Sequence, residues 1–247
     1  MRLRAFLLHL MITVSLASAL LGLFVFYLFP MPYFMEDGGW QGIRLIVAVD
    51  VVIGPLLTLI VASPGKSRGK LIFDFTVIGL LQLSAMGWGL WNIYIVRTGF
   101  VVFMDGNFFS LPQDQVELLG GPYEKIAAGE RGHPNYAMVS LPSDENERQK
   151  LRISALRSGI PLYSNLQMIV PFDSSARSEL DKSVPPPGKQ LAPESVEKLE
   201  KWAKDNGRSL EDYYFVKTVC RYGKPFIALY RSDLSLAGYF TSLKLKG

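Results

Sequence analysis

The chain of 247 residues is 49% hydrophobic, has a mean hydropathy of +0.20 and carries a formal charge of +4. That charge divides evenly between the first 96 residues and the rest, so neither part has the concentrated basic field that nucleic acid requires. A single cysteine, Cys220, excludes an intrachain disulfide, and two histidines without a neighbouring ligand cluster leave no candidate zinc or iron site.

Three long apolar runs dominate residues 1–97 and predict a membrane domain with transmembrane helices at about 5–29, 43–62 and 71–96. The first run follows a short basic start. Its Ala17-Ser18-Ala19 triplet imitates a signal-peptidase site, but the apolar run continues unbroken through Phe26, which favours an uncleaved helix. Ser15 and Ala19, and Ser18 and Gly22, are spaced four apart and offer close helix contacts. The 30–41 loop holds Tyr33, Phe34 and Trp40, ring types that favour the membrane interface.

The second run carries an ionisable group, Asp50, about 9 Å beyond Arg44 along a helix, followed by Gly54-Pro55. An intramembrane carboxyl faces protein or a polar cavity, so Asp50 reads as a group that fixes the bundle or, alternatively, as a contact point or proton site. Pro55 leaves the carbonyl of Val51 without its usual donor and predicts a kink. The third run has Asp74 near its start and Trp88, Trp91 and Tyr94 toward its end. Depth matching pairs Asp74 with His9 and places Asp50 near the level of Asn92. The Arg and Lys residues gather at the amino terminus and in the 63–70 loop, while Glu36 and Asp37 lie in the 30–41 loop. The positive-inside rule therefore predicts a cytoplasmic amino terminus and residues 98–247 on the periplasmic side.

Residues 98–247 read as an α+β domain. Strands at 100–104 and 108–111 flank an Asp105-Gly106-Asn107 turn, and a short helix from Pro112 stops at Gly120-Gly121-Pro122. His133 reads as an exposed turn residue in a Gly-His-Pro loop. A strand at 136–141 and a charged helix from Ser143 to Gly159 come next. Residues 160–182 give weak signals, and 183–190, with three prolines, reads as an extended linker. An amphipathic helix at 193–206 precedes a strand meander at 213–222, 225–231 and 237–245. There is no Gly-rich phosphate loop, no G-x-S-x-G and no H-E-x-x-H. No catalytic residue, cofactor or metal is therefore assigned, and the chain reads as a non-enzyme.

Gly38-Gly39-Trp40-Gln41-Gly42, Asp50, the Gly54 to Leu59 run, Pro64 to Lys66, the Phe73-Asp74 step and Gln82 resemble the membrane region of type IV pilin accessory proteins of the TfpX/TfpZ kind. The resemblance spans residues 1 to 105. It implies a bacterial inner-membrane protein, embedded in the lipid bilayer, that acts as a chaperone for a cognate major pilin. Contacts with the pilin helix, or within the bundle itself, fall to His9, Trp40, Asp50, Gly54, Pro55, Asp74, Gly79, Gln82, Ala85, Gly89 and Asn92. The alternative is a small transport or signalling subunit with a periplasmic sensor domain, in which Asp50 and Asp74 serve as relay groups.

Overall fold

The computed structural model describes residues 2–29, 31–63, 65–118 and 134–246; the Gly120-Gly121-Pro122 stop and His133 lie outside the described residues. The chain divides into two compact units, Met1–Arg97 and Thr98–Gly247.

The first unit contains three helices long and apolar enough to cross a membrane. α1 (Arg2–Leu23) runs on into a π-helical turn, Phe24–Leu28. α2 (Gly39–Val61) and α3 (Arg68–Ile95) complete the set. At 1.5 Å per residue each exceeds the roughly 30 Å of a bilayer's hydrocarbon. α2 packs against both of the others. A third of its most apolar 18-residue stretch is buried, against 6% for the corresponding stretch of the first helix and 11% for that of α3. Its inner face is Ile43, Ile46, Asp50, Gly54 and Thr58, at spacings of three and four.

A small aromatic core forms between α1 and α2. Phe29, Tyr33 and Phe34 are at most 2% exposed, and the Phe29 and Phe34 rings meet edge to face at 6.0 Å. Gly38, at φ +111°, adopts the left-handed turn that starts α2. A Cβ on Gly39 would strike Phe34 and Phe29, and one on Gly42 would strike Ile93 of α3. Gly38 is thus required by its backbone conformation and Gly39 and Gly42 by packing, while Trp40 and Gln41 remain exposed. Burial, followed by the neighbouring Asp37, pushes the Glu36 carboxyl in this loop above its usual range.

Among the described residues the second unit forms a seven-stranded mixed sheet in the order β4-β3-β1-β2-β5-β6-β7, with helices. β1 (Thr98–Met104) and β2 (Asn107–Pro112) form a hairpin whose two turn residues, Asp105 and Gly106, both have positive φ. β3 (Asn135–Val139) lies parallel to β1, and β4 (Ile169–Pro171) pairs with β3. β5 (Tyr213–Val219) lies parallel to β2 and leads through β6 (Phe226–Tyr230) to β7 (Leu236–Phe240). The antiparallel meander is therefore only one half of the sheet. The two parallel joins come from long crossovers that a strand-by-strand reading does not show.

α4 (Glu145–Ser158) starts one residue later than its sequence predicts, because Asp144 caps it by accepting from the Glu147 N–H at 2.9 Å. Gly159, at φ +70°, ends it. Residues 160–182 fold into three 3-10 turns, β4 and the start of α5 (Arg177–Ser183). The 183–190 stretch is tied down rather than extended. Val184 is buried, residues Pro187–Gln190 make a helical turn, and Gln190 donates to the carbonyls of Pro185 and Phe215 at 3.2 Å each.

α6 (Pro193–Asp205) covers one face of β5–β7 through Leu199, Trp202 and Ala203, with Trp202 against Tyr213 and Phe240. A second cluster gathers Phe100, Val102, Leu111, Ala137, Val139 and Ile169. On the opposite face of β5, the Tyr214 hydroxyl donates to Asp181 of α5 at 2.6 Å, and Arg231 lies 3.9 Å over the Tyr214 ring while bonding the same carboxylate. Burial, then the bond to Asp181, holds the Tyr214 phenol above its ordinary value.

Leu199 is fully buried in the α6 interface. Leu199→Ala should cost about 3 kcal/mol and speed hydrogen exchange of β5 and β6 amides by on the order of a hundredfold, read by mass spectrometry. Unchanged exchange would show that α6 does not hold these strands.

Candidate functional site

The residues that carry chemistry in the first unit collect on the inner face of α2. Its middle, Val47–Ile53, is π-helical, and the Gly54 N–H bonds to the carbonyl of Val49, five residues back. In that register the carbonyl of Asp50 would meet the nitrogen of Pro55, which has no hydrogen. Gln82 of α3 supplies the missing donor, its Nε2 giving a hydrogen bond to Asp50 O at 3.2 Å. The approach is possible because Gly54 has no side chain; a Cβ there would collide with the Gln82 amide. The kink predicted at Pro55 thus takes the form of a widened stretch of helix before the proline. The orphaned carbonyl met from α3 is that of Asp50, where an α-helical register predicts that of Val51.

Asp50 itself is 5% exposed, and among the described residues neither carboxyl oxygen has a hydrogen-bond partner. Two turns further along the same face, Thr58 Oγ1 shares a hydrogen bond with His9 Nδ1 of α1. Thr13 closes this seam by donating to the carbonyls of His9 and Leu10. Asp50, Gly54 and Thr58 are spaced by four, so that spacing would have revealed Thr58 once Asp50 was chosen.

Both depth-matched pairings are replaced by nearer partners. Asp74 forms an ion pair with Lys66 at 2.7 Å, because the flexible lysine stem reaches it from the loop just before α3. His9 is taken by Thr58. Asn92 donates to Trp88 O within its own helix, and the Asp50 level is reached by Gln82 instead.

The small residues separate into two groups. Gly54 is filled by Gln82, and a Cβ on Gly89 would press on Ile46, so both belong to the bundle rather than to a partner. Gly79 has open space where a side chain would stand, and Ala85 and Gly87 are exposed. On α1, Ser15, Ser18 and Ala19 are exposed as well. Trp40 is 38% exposed at the start of α2. At the other end of α3, Trp91 stacks with Tyr94, and the Arg97 guanidinium lies 3.7 Å over the Tyr94 ring. Among the described residues no group of three or more His, Cys, Asp or Glu could hold a metal ion.

Gln82→Leu strands the Asp50 carbonyl and should lower stability in detergent by about 1–2 kcal/mol. Pro55→Ala returns an N–H to α2 and should shrink that loss; an equal loss in both backgrounds would refute the assignment. In double-mutant cycles, His9→Ala with Thr58→Val should show coupling of about 0.5–1.5 kcal/mol, and His9→Ala with Asp74→Asn none.

Neither a family model nor a solved structure matches the chain. Its relatives include three proteins of Dichelobacter nodosus. It is 40% identical over 95 residues to the fimbrial assembly protein of serogroup I and 41% identical over 95 residues to that of serogroup E1, covering 38% of this chain and 37% of each relative. It is 40% identical over 95 residues to the fimbrial assembly protein of serogroups C1 and C2, covering 38% of this chain and 72% of that relative. The chain therefore spans little more than a third of two of these relatives and most of the third. With that share of the serogroup C1 and C2 protein matched at 40% identity, the chain belongs to the family of fimbrial assembly proteins.

Proposed function

We propose that this protein is a bacterial inner-membrane chaperone of type IV pilus biogenesis that binds a cognate pilin before assembly and supports its stability. Membership of the fimbrial assembly family supports the pilus setting. The observation that carries the pilin reading is the unequal burial of the three helices. α2 is the most buried of the three, with one face packed on its neighbours, while α1 and α3 leave wider apolar and small-residue faces open, among them Ser15, Ser18 and Ala19 on one and Gly79 and Gly87 on the other. In lipid, helices associate where small residues let backbones approach, and the membrane helix of a pilin is a partner of that shape. The amino terminus is cytoplasmic and the sheet unit periplasmic on this reading, in accord with the charge bias of the loops. The protein performs no chemistry; it holds and releases.

A transport or signalling role is the second reading, favoured by the buried Asp50 carboxyl without a hydrogen-bond partner among the described residues. The two part on one set of variants. Gly79→Leu with Gly87→Leu fills an open face and should leave the thermal midpoint of the protein unchanged while lowering pilin co-isolation severalfold. Asp50→Asn should leave pilin co-isolation intact. Loss of function in Asp50→Asn, together with undisturbed pilin levels in the filled-face variant, would replace the chaperone reading with the relay.

A further inference from the structure

The hairpin between β5 and β6 turns at a tip that its own fold does not bury. The Cys220 N–H donates to the carbonyl of Gly223 at 3.0 Å and the Thr218 N–H to that of Pro225 at 2.7 Å, which leaves Arg221 and Tyr222 at the turn. Arg221 and Lys224 are exposed and Tyr222 is 58% exposed, while Pro225 behind them is buried. From Tyr213 to Ser232 the chain carries Lys217, Arg221, Lys224 and Arg231 and no acid. Among the described residues the acid nearest in register is Asp114, two past Pro112, and it accepts from the Gln115 N–H at 2.9 Å. The tip therefore presents two cations and an amphipathic ring on a convex surface.

Strand register fixes where this tip lies in its sheet. β2 runs parallel to β5 with Phe109 level with Val219, so three residues further on Pro112 comes level with Tyr222. Pro112 in turn is the partner of Thr98, the first residue of β1. Tyr222 thus stands two strand spacings, about 10 Å, from the residue that follows Arg97 in the chain. That distance is internal to the sheet. The covalent link to Arg97 tethers this end of the sheet to whatever the third apolar helix is embedded in. That helix ends in the same combination of side chains, the Arg97 guanidinium lying over the Tyr94 ring. A convex tip offers no walls to inserted side chains, whereas cations beside a tyrosine ring match the phosphates and interfacial zone of a phospholipid surface.

We propose that the Arg221-Tyr222-Gly223-Lys224 tip docks on anionic phospholipid headgroups of the bilayer that holds the three helices. The contact rests on those helices crossing a membrane and not on the pilin reading. The test uses the full-length chain, one copy per nanodisc, in phosphatidylcholine with and without phosphatidylglycerol. In a Cys220→Ser background a bimane label is placed at Tyr222→Cys, at Ser232→Cys beyond the far end of β6, or at Leu83→Cys on α3, which is 58% exposed. Lipids with a nitroxide on the headgroup should quench the label at 222 severalfold more than the label at 232. That quenching should fall about fivefold or more when phosphatidylglycerol is left out, and equally when Arg221→Glu is combined with Lys224→Glu.

Equal quenching at 222 and 232, none at 222, or quenching at 222 that ignores both lipid charge and the charge reversal would overturn the proposal. The label at Leu83 should be quenched by nitroxides on the acyl chains in either lipid. Its failure to respond would instead overturn the membrane reading on which the proposal rests.

Discussion

The hydrogen bond from Gln82 to the Asp50 carbonyl, made over the bare backbone of Gly54, is the contact on which the membrane unit depends. Hydrocarbon supplies no substitute donor, so a carbonyl that loses its helical partner to a proline must find one on a neighbouring helix. Three residues with unrelated chemistry are thereby bound into one device: Pro55 removes a donor, Gly54 makes room, and Gln82 replaces what was removed. The same logic explains why α2 turns one face to its neighbours. It carries Asp50 and Thr58 on one face, and turning that face toward lipid would expose both.

The outer unit solves a different problem with different means. Its two clusters lie on a sheet whose halves are joined by the parallel pairing of β2 with β5, and the segment between them must be held down if that join is to persist. Asp181 on α5, bonded by both Tyr214 and Arg231, and Gln190, bonded to the Phe215 carbonyl, hold it to the second half. Residues that read as a linker by composition are thus fixed by side-chain contacts that composition does not reveal. Among the described residues α4 is tied only by its caps, the Arg148 bond to the Pro142 carbonyl and the Arg152–Asp105 pair, which distinguishes it from α6.

Where features were legible from sequence, the reason was periodicity or a residue with few conformational choices. The three apolar runs, the Asp105-Gly106 hairpin and the Gly159 cap are of this kind. The break in α2 at Gly54-Pro55 was legible in the same way, but the part Gln82 plays was not, because the π-helical register that makes Asp50 the orphan carbonyl arises only in the packed helix. The His9–Asp74 pairing failed for a related reason. Depth along a helix fixes one coordinate only, and Lys66 and Thr58 were nearer in the other two. The 160–182 region was unreadable because its elements are single turns and a three-residue strand, each too short to impose a period.

The energetics of an open-flanked bundle also bear on what such a protein can do on the proposed reading. Between helices in lipid there is no hydrophobic drive, so a partner lying on Gly79 and Gly87 is held by close packing alone, and such contacts are weak and reversible. A chaperone that must surrender its client to a growing fibre needs that weakness. Selectivity then has to come from elsewhere. A second contact outside the bilayer, made by a chain already tethered beside it, gains from effective concentration rather than from intrinsic affinity, so that two modest contacts suffice where neither alone would. The packed face of α2 is the necessary counterpart: the contacts that fix the bundle's geometry stay out of the exchange, and the two flanking helices are left to make and break contacts without disturbing them.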